Sequence, residues 1–540
     1  MDTAFEYESF EPQLASLVLR GYDNDQSTMR LTLLVVADWE DDEWTTRTWE
    51  VAAYGLNSAL GKALERFRPD FCVNIEFIAT HLVRQAYAFP VTGQPALKTA
   101  WNENILPRLT RLVYANSNVC NHVNAIAMQR IGFDRDHPLE NPLTVYVALE
   151  NTCNEVHWPA LYLTLTQYLG TLGHQIGLRI EHNGWDFSAF QPLPPKDLST
   201  KPWDIQPYET RAPLGADIGC CMYTKSRNNT RYNSPLGTLG CYLQLKMPGE
   251  ASVRTLALTN YHIVRPLFQG FLMEDAITLP LRAISPGTIL YGVDRTGIRQ
   301  DTAPSLGEME HPTRTRHNRI VASQRTLIAR EEDPEKKAKL QASLDPKIQF
   351  FDDNCHVLGK LFAASGFARR SASNKRLDWA LIDVLPDRVG SNGFPDSSVW
   401  MERGNGRYKP ALPSMNLKDP TSSLSQSAKG HNVYKMGAAT GPTAGILHEL
   451  KVHVGIRESR YVRSDPTNEY TVSSVTPGAV FGDFGDSGAI VYGSDAAALG
   501  LLFRGMPPKH TGVHLTLITP IEDVFADIKA LTGAEWVRVA

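Results

Sequence analysis

Near the C-terminal end the chain reads GDFGDSGAIVY, from Gly482 to Tyr492, a run of turn residues that becomes apolar and β-branched just past Ser487. A serine hydroxyl attacks a carbonyl only when a neighbouring base takes its proton and a third group orients that base. The chain offers both partners inside strand-like runs: His262 in LTNYHIV and Asp378 in LDWALIDV. Asp383, in the same run, is a rival acid, but Asp378 precedes the apolar Trp379, Ala380 and Leu381 and is the stronger candidate. Together the three residue types can perform acyl transfer, with serine as nucleophile, histidine as base and aspartate as its orienter.

The elements that must hold these residues divide the chain. Residues 1–189 have an α/β texture. LTLLVVA (31–37) reads as a buried strand, and Leu56, Leu60, Leu64 and Phe67 recur at helical spacing before the strand-like CVNIEFIATHLV (72–83). The order then repeats. LTVYVAL (143–149) is a strand, Trp158 to Leu172 a helix with Pro159 in its first turn, and QIGLRIEH (175–182) a strand. Proline-punctuated residues 190–209 read as a linker. Residues 210–540 change to short, glycine-punctuated, alternating runs, the texture of an all-β sandwich or barrel. A charged helical hairpin interrupts them at about 313–350, where Asp333 and Pro334 end one helix and cap the next. Ile521, Val524, Phe525 and Ile528 give a C-terminal helix an apolar stripe that should pack back on the β domain.

The C-terminal part resembles the trypsin-like, chymotrypsin-fold serine peptidases over roughly Pro213 to Leu531. GDSG (485–488) resembles their nucleophile motif, LTNYHIV their histidine segment and DWALIDV their aspartate segment. KMGAATGPTAGIL (435–447) is similar to a glycine- and threonine-rich run of the disulfide-free members, ALGLLFRG (498–505) to the strand beside the specificity pocket, and TGVHLTLITPIEDVFADI (511–528) to the last strand and helix. The likeness is to intracellular trypsin-like domains of large fungal proteins. It implies an α/β domain followed by an all-β double barrel with a helical insertion. It also implies a His262–Asp378–Ser487 triad and an oxyanion hole from the backbone N–H groups of Gly485 and Ser487. Phe481, Gly482, Phe503, Arg504, Gly505 and Gly512 fall where the specificity pocket lies. Phe481 stands where enzymes selective for Lys or Arg carry an acid, so an apolar or small P1 side chain is expected, while Arg504 and His514 leave an acidic one open.

Two departures from the family are informative. Ile263 replaces the cysteine that follows the histidine in secreted relatives. Those relatives are activated when a newly cut N-terminus pairs with the aspartate before the serine. Asp486 is present here, but no matching cleavage site precedes the β domain. Either Asp486 has a cationic or amide partner within the chain, or another event assembles the hole.

With 54 Lys and Arg against 58 Asp and Glu, the net charge of -4 gives no reason to expect nucleic acid as a partner. No run is long and apolar enough for a membrane span. Seven scattered cysteines suggest reduced thiols and a cytoplasmic location rather than a disulfide framework. The spacings of Cys120, His122, Cys153 and His157 fit no common zinc site, and no Walker or dinucleotide motif appears, so no metal or cofactor is expected. The sequence therefore predicts a serine endopeptidase acting on intracellular protein, regulated by its N-terminal domain and any partner that domain binds. A protease-like module that captures a partner without cleavage is the second reading.

Overall fold

The computed structural model describes residues 14–20, 30–40, 43–67, 73–80, 85–173, 175–185, 208–221, 224–225, 231–232, 236–271, 287–299, 307–395, 415–427, 432–455, 465–509 and 511–540. Most of the expected linker at 190–209 lies outside them. The chain forms two compact units, Met1–Ala86 and Tyr87–Ala540.

In the first unit β1 (Leu14–Arg20) pairs antiparallel with β2 (Arg30–Ala37), and β2 pairs parallel with β3 (Asn74–Ala79). The parallel pair needs a crossover, supplied by α1 (Glu43–Phe67). Trp49 on this helix packs over Phe77 at 5.5 Å between rings.

The second unit begins with the same connectivity. After β4 (Tyr87–Phe89) and a helical run ending in α2 (Leu106–Ala115), β5 (Val123–Gly132) pairs antiparallel with β6 (Leu143–Leu149). The crossover α3 (Trp158–Gly170) then leads to β7 (Gly177–His182), parallel to β6. Side chains alternate across the sheet. Ile126, Met128, Val145 and Val147 meet α2 and α3 on one face, while Ala125, Ala127, Tyr146 and Ala148 face the other way. With both faces covered, the strands read as continuous apolar runs.

Among the described residues the β region forms two large sheets. In the first, β8 (Asp217–Cys220) pairs with β11 (Gly237–Thr238), and the path continues through β15 (Glu308–Glu310), β16 (Val357–Ala364), β17 (Ala380–Val384), β13 (Arg254–Thr259) and β12 (Cys241–Lys246). Short β9 (Thr224–Lys225) and β10 (Arg231–Tyr232) pair with each other, and β14 (Ile298–Arg299) pairs with β16. In the second, β18 (Asn432–Gly437), β19 (Gly441–Leu447), β21 (Thr467–Ser474), β22 (Ile490–Gly493), β23 (Ala498–Met506) and β24 (Leu515–Pro520) close into a barrel, because β19 pairs with both β18 and β21. The helix α4 (Ile289–Thr296) precedes the expected hairpin, whose arms are α5 (Arg314–Arg330) and α6 (Pro334–Asp352). Asp333 caps α6 by accepting from the N–H groups of Glu335 and Lys336. The C-terminal α7 (Ile521–Thr532) buries its apolar stripe in the core that holds Leu243, Trp379 and Tyr492. A last strand, β25 (Trp536–Val539), extends the first sheet beside β12.

One feature differs from the expected division. β20 (Val452–Val454) pairs with β21 on one side and with β5 on the other, through His453 opposite Ile126 and Val454 opposite Ala125. The second α/β repeat is thereby built into the barrel sheet, and the compact units divide near residue 86 rather than at 190–209. No helix among the described residues is long and apolar enough to cross a membrane.

Candidate active site

His262 sits on a four-residue helical turn, Tyr261–Val264, just beyond the end of β13. A buried group of charges pins that turn. Arg265 donates to both carboxylate oxygens of Asp294 on α4, at 2.9 and 2.7 Å, and the Tyr261 hydroxyl donates to the same carboxylate at 2.6 Å. Asp378 lies two residues before β17 and is 4% exposed. Next to it, buried Trp379 donates its indole N–H to Asp527 of α7 at 2.9 Å, which fixes this approach to the strand. The two residues meet. Asp378 Oδ2 is 2.6 Å from His262 Nδ1, and Oδ1 accepts the His262 backbone N–H at 2.9 Å. A carboxylate at this distance favours a proton on Nδ1 and leaves the lone pair on Nε2. The rival Asp383 faces Leu256 and Lys360 across the ladder.

Ser487 lies in the turn before β22. The N–H of Thr238 on β11 donates to its carbonyl at 2.8 Å, and the Thr238 hydroxyl donates to the Gly485 carbonyl at 2.7 Å. The Thr238 carbonyl in turn accepts from Thr259 Oγ1 at 2.9 Å, three residues before His262. The serine turn is thus laced to the strand end that carries the histidine, which joins the two sheets at this point. Gly485 has φ +91°, and a Cβ there would come within 2.7 Å of Leu236. That left-handed conformation is cheap for glycine alone.

Asp486 is fully buried, and its partner is inside the chain. Lys435 of β18, equally buried, holds its ammonium 3.0 Å from Asp486 Oδ2. The Ala439 and Thr440 N–H groups donate to Oδ1 at 3.0 and 3.1 Å, and the Thr440 hydroxyl and Asp483 N–H donate to Oδ2 at 2.7 and 3.0 Å. Burial pushes the Lys435 ammonium below its ordinary pKa, and the adjacent carboxylate opposes that shift. Gly437 is required here, since a Cβ would lie 2.2 Å from Asp486 Oδ1. Sequence reasoning passed over Lys435, Thr238 and Asn260, whose Nδ2 donates to the Asp378 carbonyl at 2.6 Å. A lysine inside the otherwise apolar strand run NVYKMGA was the available signal.

The expected pocket residues fall into two groups. A Cβ on Gly505 would have room, 3.8 Å from the Gly482 carbonyl, whereas one on Gly482 would meet Leu502 and Thr516, and Gly512 lies on the connection between β23 and β24 with φ +68°. Phe481 is fully buried in the barrel core with Val472, Val491 and Leu502. Phe503, expected as a wall, packs instead between the barrel and the α/β layer with Tyr146 and Trp185, because the ladder with β24 shifts register between Leu502 and Arg504. Arg504 is buried. His514 sets its Nε2 3.2 Å from the Gly482 carbonyl, and desolvation lowers its pKa to about 4, so it is neutral at neutral pH.

Residues 313–537, somewhat under half of the chain, match the model of peptidase family S64. This chain is a serine peptidase. The matched stretch holds Asp378 and Ser487 but begins downstream of His262. Among solved structures, the peptidase is similar to Thermobifida fusca protease A, at 10% identity over 61% of this chain and 100% of that one, with TM-score 0.29. It is similar at the same identity, coverage and TM-score to a glutamic-acid-specific serine protease described as using a histidine triad in substrate binding. A third likeness is to Cellulomonas bogoriensis chymotrypsin, at 18% identity over 35% of this chain and 82% of that one, with TM-score 0.21.

The peptidase should be acid-labile. Desolvation depresses the pKa of His317, His356, His453 and His514 to about 4, that of His448 to about 3, and that of His311 in the same direction. Each binds its proton less readily in the fold, so below pH 6.5 the unfolded chain takes up protons that the folded one does not, and stability falls until the folded groups titrate. Glu310 acts oppositely. Burial pushes its carboxyl up to about 7, which favours the fold as pH drops from about 7 towards 4.5. Six histidines against Glu310 and Glu522, whose carboxyl burial also raises, predict a thermal midpoint that drops between pH 6.5 and 4, measurable by calorimetry. A flat profile there would refute the assignment.

Proposed function

We propose that this protein is a serine endopeptidase of intracellular proteins that works through His262, Asp378 and Ser487. The observation that carries the reading is the pair of hydrogen bonds between Asp378 and His262, one carboxylate oxygen to the ring and the other to the backbone N–H. Ser487 Oγ attacks the scissile carbonyl while His262 Nε2 takes its proton. The same proton goes to the leaving amine as the C–N bond breaks, and water then cleaves the acyl-enzyme by the reverse roles. The Gly485 and Ser487 N–H groups stabilise the tetrahedral oxyanion, in a turn held by the Asp486 knot.

The room beside Gly505 near the Gly482 carbonyl, a neutral His514 and the lack of an acid at Phe481 support an apolar or small P1 preference. Control of access or substrate choice by the region before the barrels belongs to the same proposal.

A fluorophosphonate probe on the intact chain tests it. The wild type should label, and Ser487→Ala and His262→Ala should not. Labelling that persists without Ser487, or no labelling of the wild type, defeats the nucleophile assignment and leaves the partner-capture reading.

A further inference from the structure

We propose that the α/β layer of residues 87–185 is part of the specificity apparatus, with Glu181 as a positioning residue that holds the loop between β23 and β24. The inference rests on the reading of Gly482, Gly505 and Gly512 as the pocket frame.

The loop leaves β23 just past Gly505, passes Gly512 and returns at His514, whose ring closes on the Gly482 carbonyl. Its outer side is gripped by the end of β7. Glu181 accepts from the Thr511 hydroxyl at 2.8 Å and from the Thr511 N–H at 3.3 Å. Asn183, fully buried, donates through Nδ2 to the Pro507 carbonyl at 3.0 Å, and Lys509 donates to the His182 carbonyl at 3.0 Å.

The gripping residues are themselves fixed. The Tyr146 hydroxyl of β6 donates to Glu181 at 2.8 Å and accepts from Asn183 at 3.0 Å, and the Asn124 side chain donates to the Asn183 carbonyl at 2.8 Å. Beneath this network Tyr146 and Trp185 pack against Phe503, Met506, Val513 and Leu515. Glu181 is buried and accepts three of these bonds, so loss of a donor leaves its carboxylate under-satisfied and is costly. None of these groups belongs to the proposed triad or its knot. Their effect on turnover therefore passes through the width and rigidity of the pocket edge. A shift of about 1 Å in a substrate-positioning element can cost about a hundredfold in rate.

The test uses the full chain with Glu181→Gln and, separately, Thr511→Val, which removes one hydroxyl and keeps the carboxylate. Peptide substrates varied at P1 give kcat and KM, and the rate of fluorophosphonate labelling reports the triad alone. The expected result is a ten- to hundredfold fall in kcat/KM on the preferred peptides, mostly through KM, with a flatter P1 profile and labelling within about twofold of wild type. An unchanged P1 profile in Thr511→Val overturns the proposal even if Glu181→Gln does not fold. So does a labelling rate that falls in step with kcat/KM, the signature of general damage. Failure of the nucleophile assignment looks different, because the wild type itself then shows no Ser487-dependent label.

Discussion

Lys435→Met should cost the protein about 3–5 kcal/mol of stability and most of its activity, although Lys435 contributes no atom to the proposed triad. The substitution keeps the volume of the side chain but leaves Asp486 buried with hydrogen-bond donors and no counter-charge. Two backbone amides and a hydroxyl of the Ala439–Thr440 turn converge on the same carboxylate, so its displacement loosens Gly485 and Ser487 on either side. Losing one oxyanion donor typically costs about a hundred- to a thousandfold in kcat. Urea unfolding and turnover of a fluorogenic peptide measure the two effects. Adding Asp486→Asn to Lys435→Met removes the stranded charge and should restore stability without restoring turnover. A single variant as stable as wild type would mean that the pair is dispensable. The same pair bears on activation: with the cation supplied from β18, the intact chain should turn over substrate without a cut that creates a new N-terminus.

Asp378→Asn should lower kcat by about ten-thousandfold while leaving KM nearly unchanged. The geometry dictates the reason. One oxygen at position 378 accepts the His262 backbone N–H, so an asparagine keeps its oxygen there and turns its NH2 towards Nδ1. Nδ1 must then accept, the ring proton moves to Nε2, and in the proposed triad that nitrogen can no longer take the serine proton. Steady-state kinetics at neutral pH decide the matter, and a loss smaller than tenfold would show that Asp378 is not the orienting acid.

The residues proposed for the triad stand out in the sequence because each sits in a local pattern: a turn motif before a strand, a histidine after one, an aspartate ahead of another. The helical hairpin and the C-terminal helix were legible for the same reason, through caps and stripes. Pairings between distant strands leave no such trace. The junction of β5 with β20 rests on two residue pairs more than three hundred positions apart, and β5 has the same apolar alternation whether its neighbour comes from its own layer or from the barrel. The proline-rich stretch 190–209 drew the domain boundary to itself, while the division near residue 86 carries no comparable punctuation. Lys435 was hidden because a lysine in a strand ordinarily faces water, and only its complete burial beside Asp486 reveals its task. Phe503 misled for a related reason, since a shift of ladder register redirects a side chain without changing the strand.

The junction of β5 with β20 also limits how the enzyme can be cut. A chain beginning near Glu209 would lose the partner of β20 and leave a bare strand edge beside the uncovered Val452, Val454, Phe503, Val513 and Leu515. Exposed edges with an apolar flank recruit other chains and aggregate. Shortening the protein from its N-terminus into β5 and β6 therefore takes away the partner of β20 and, with Ala125, Ala127, Tyr146 and Ala148, the layer that covers this side of the barrel.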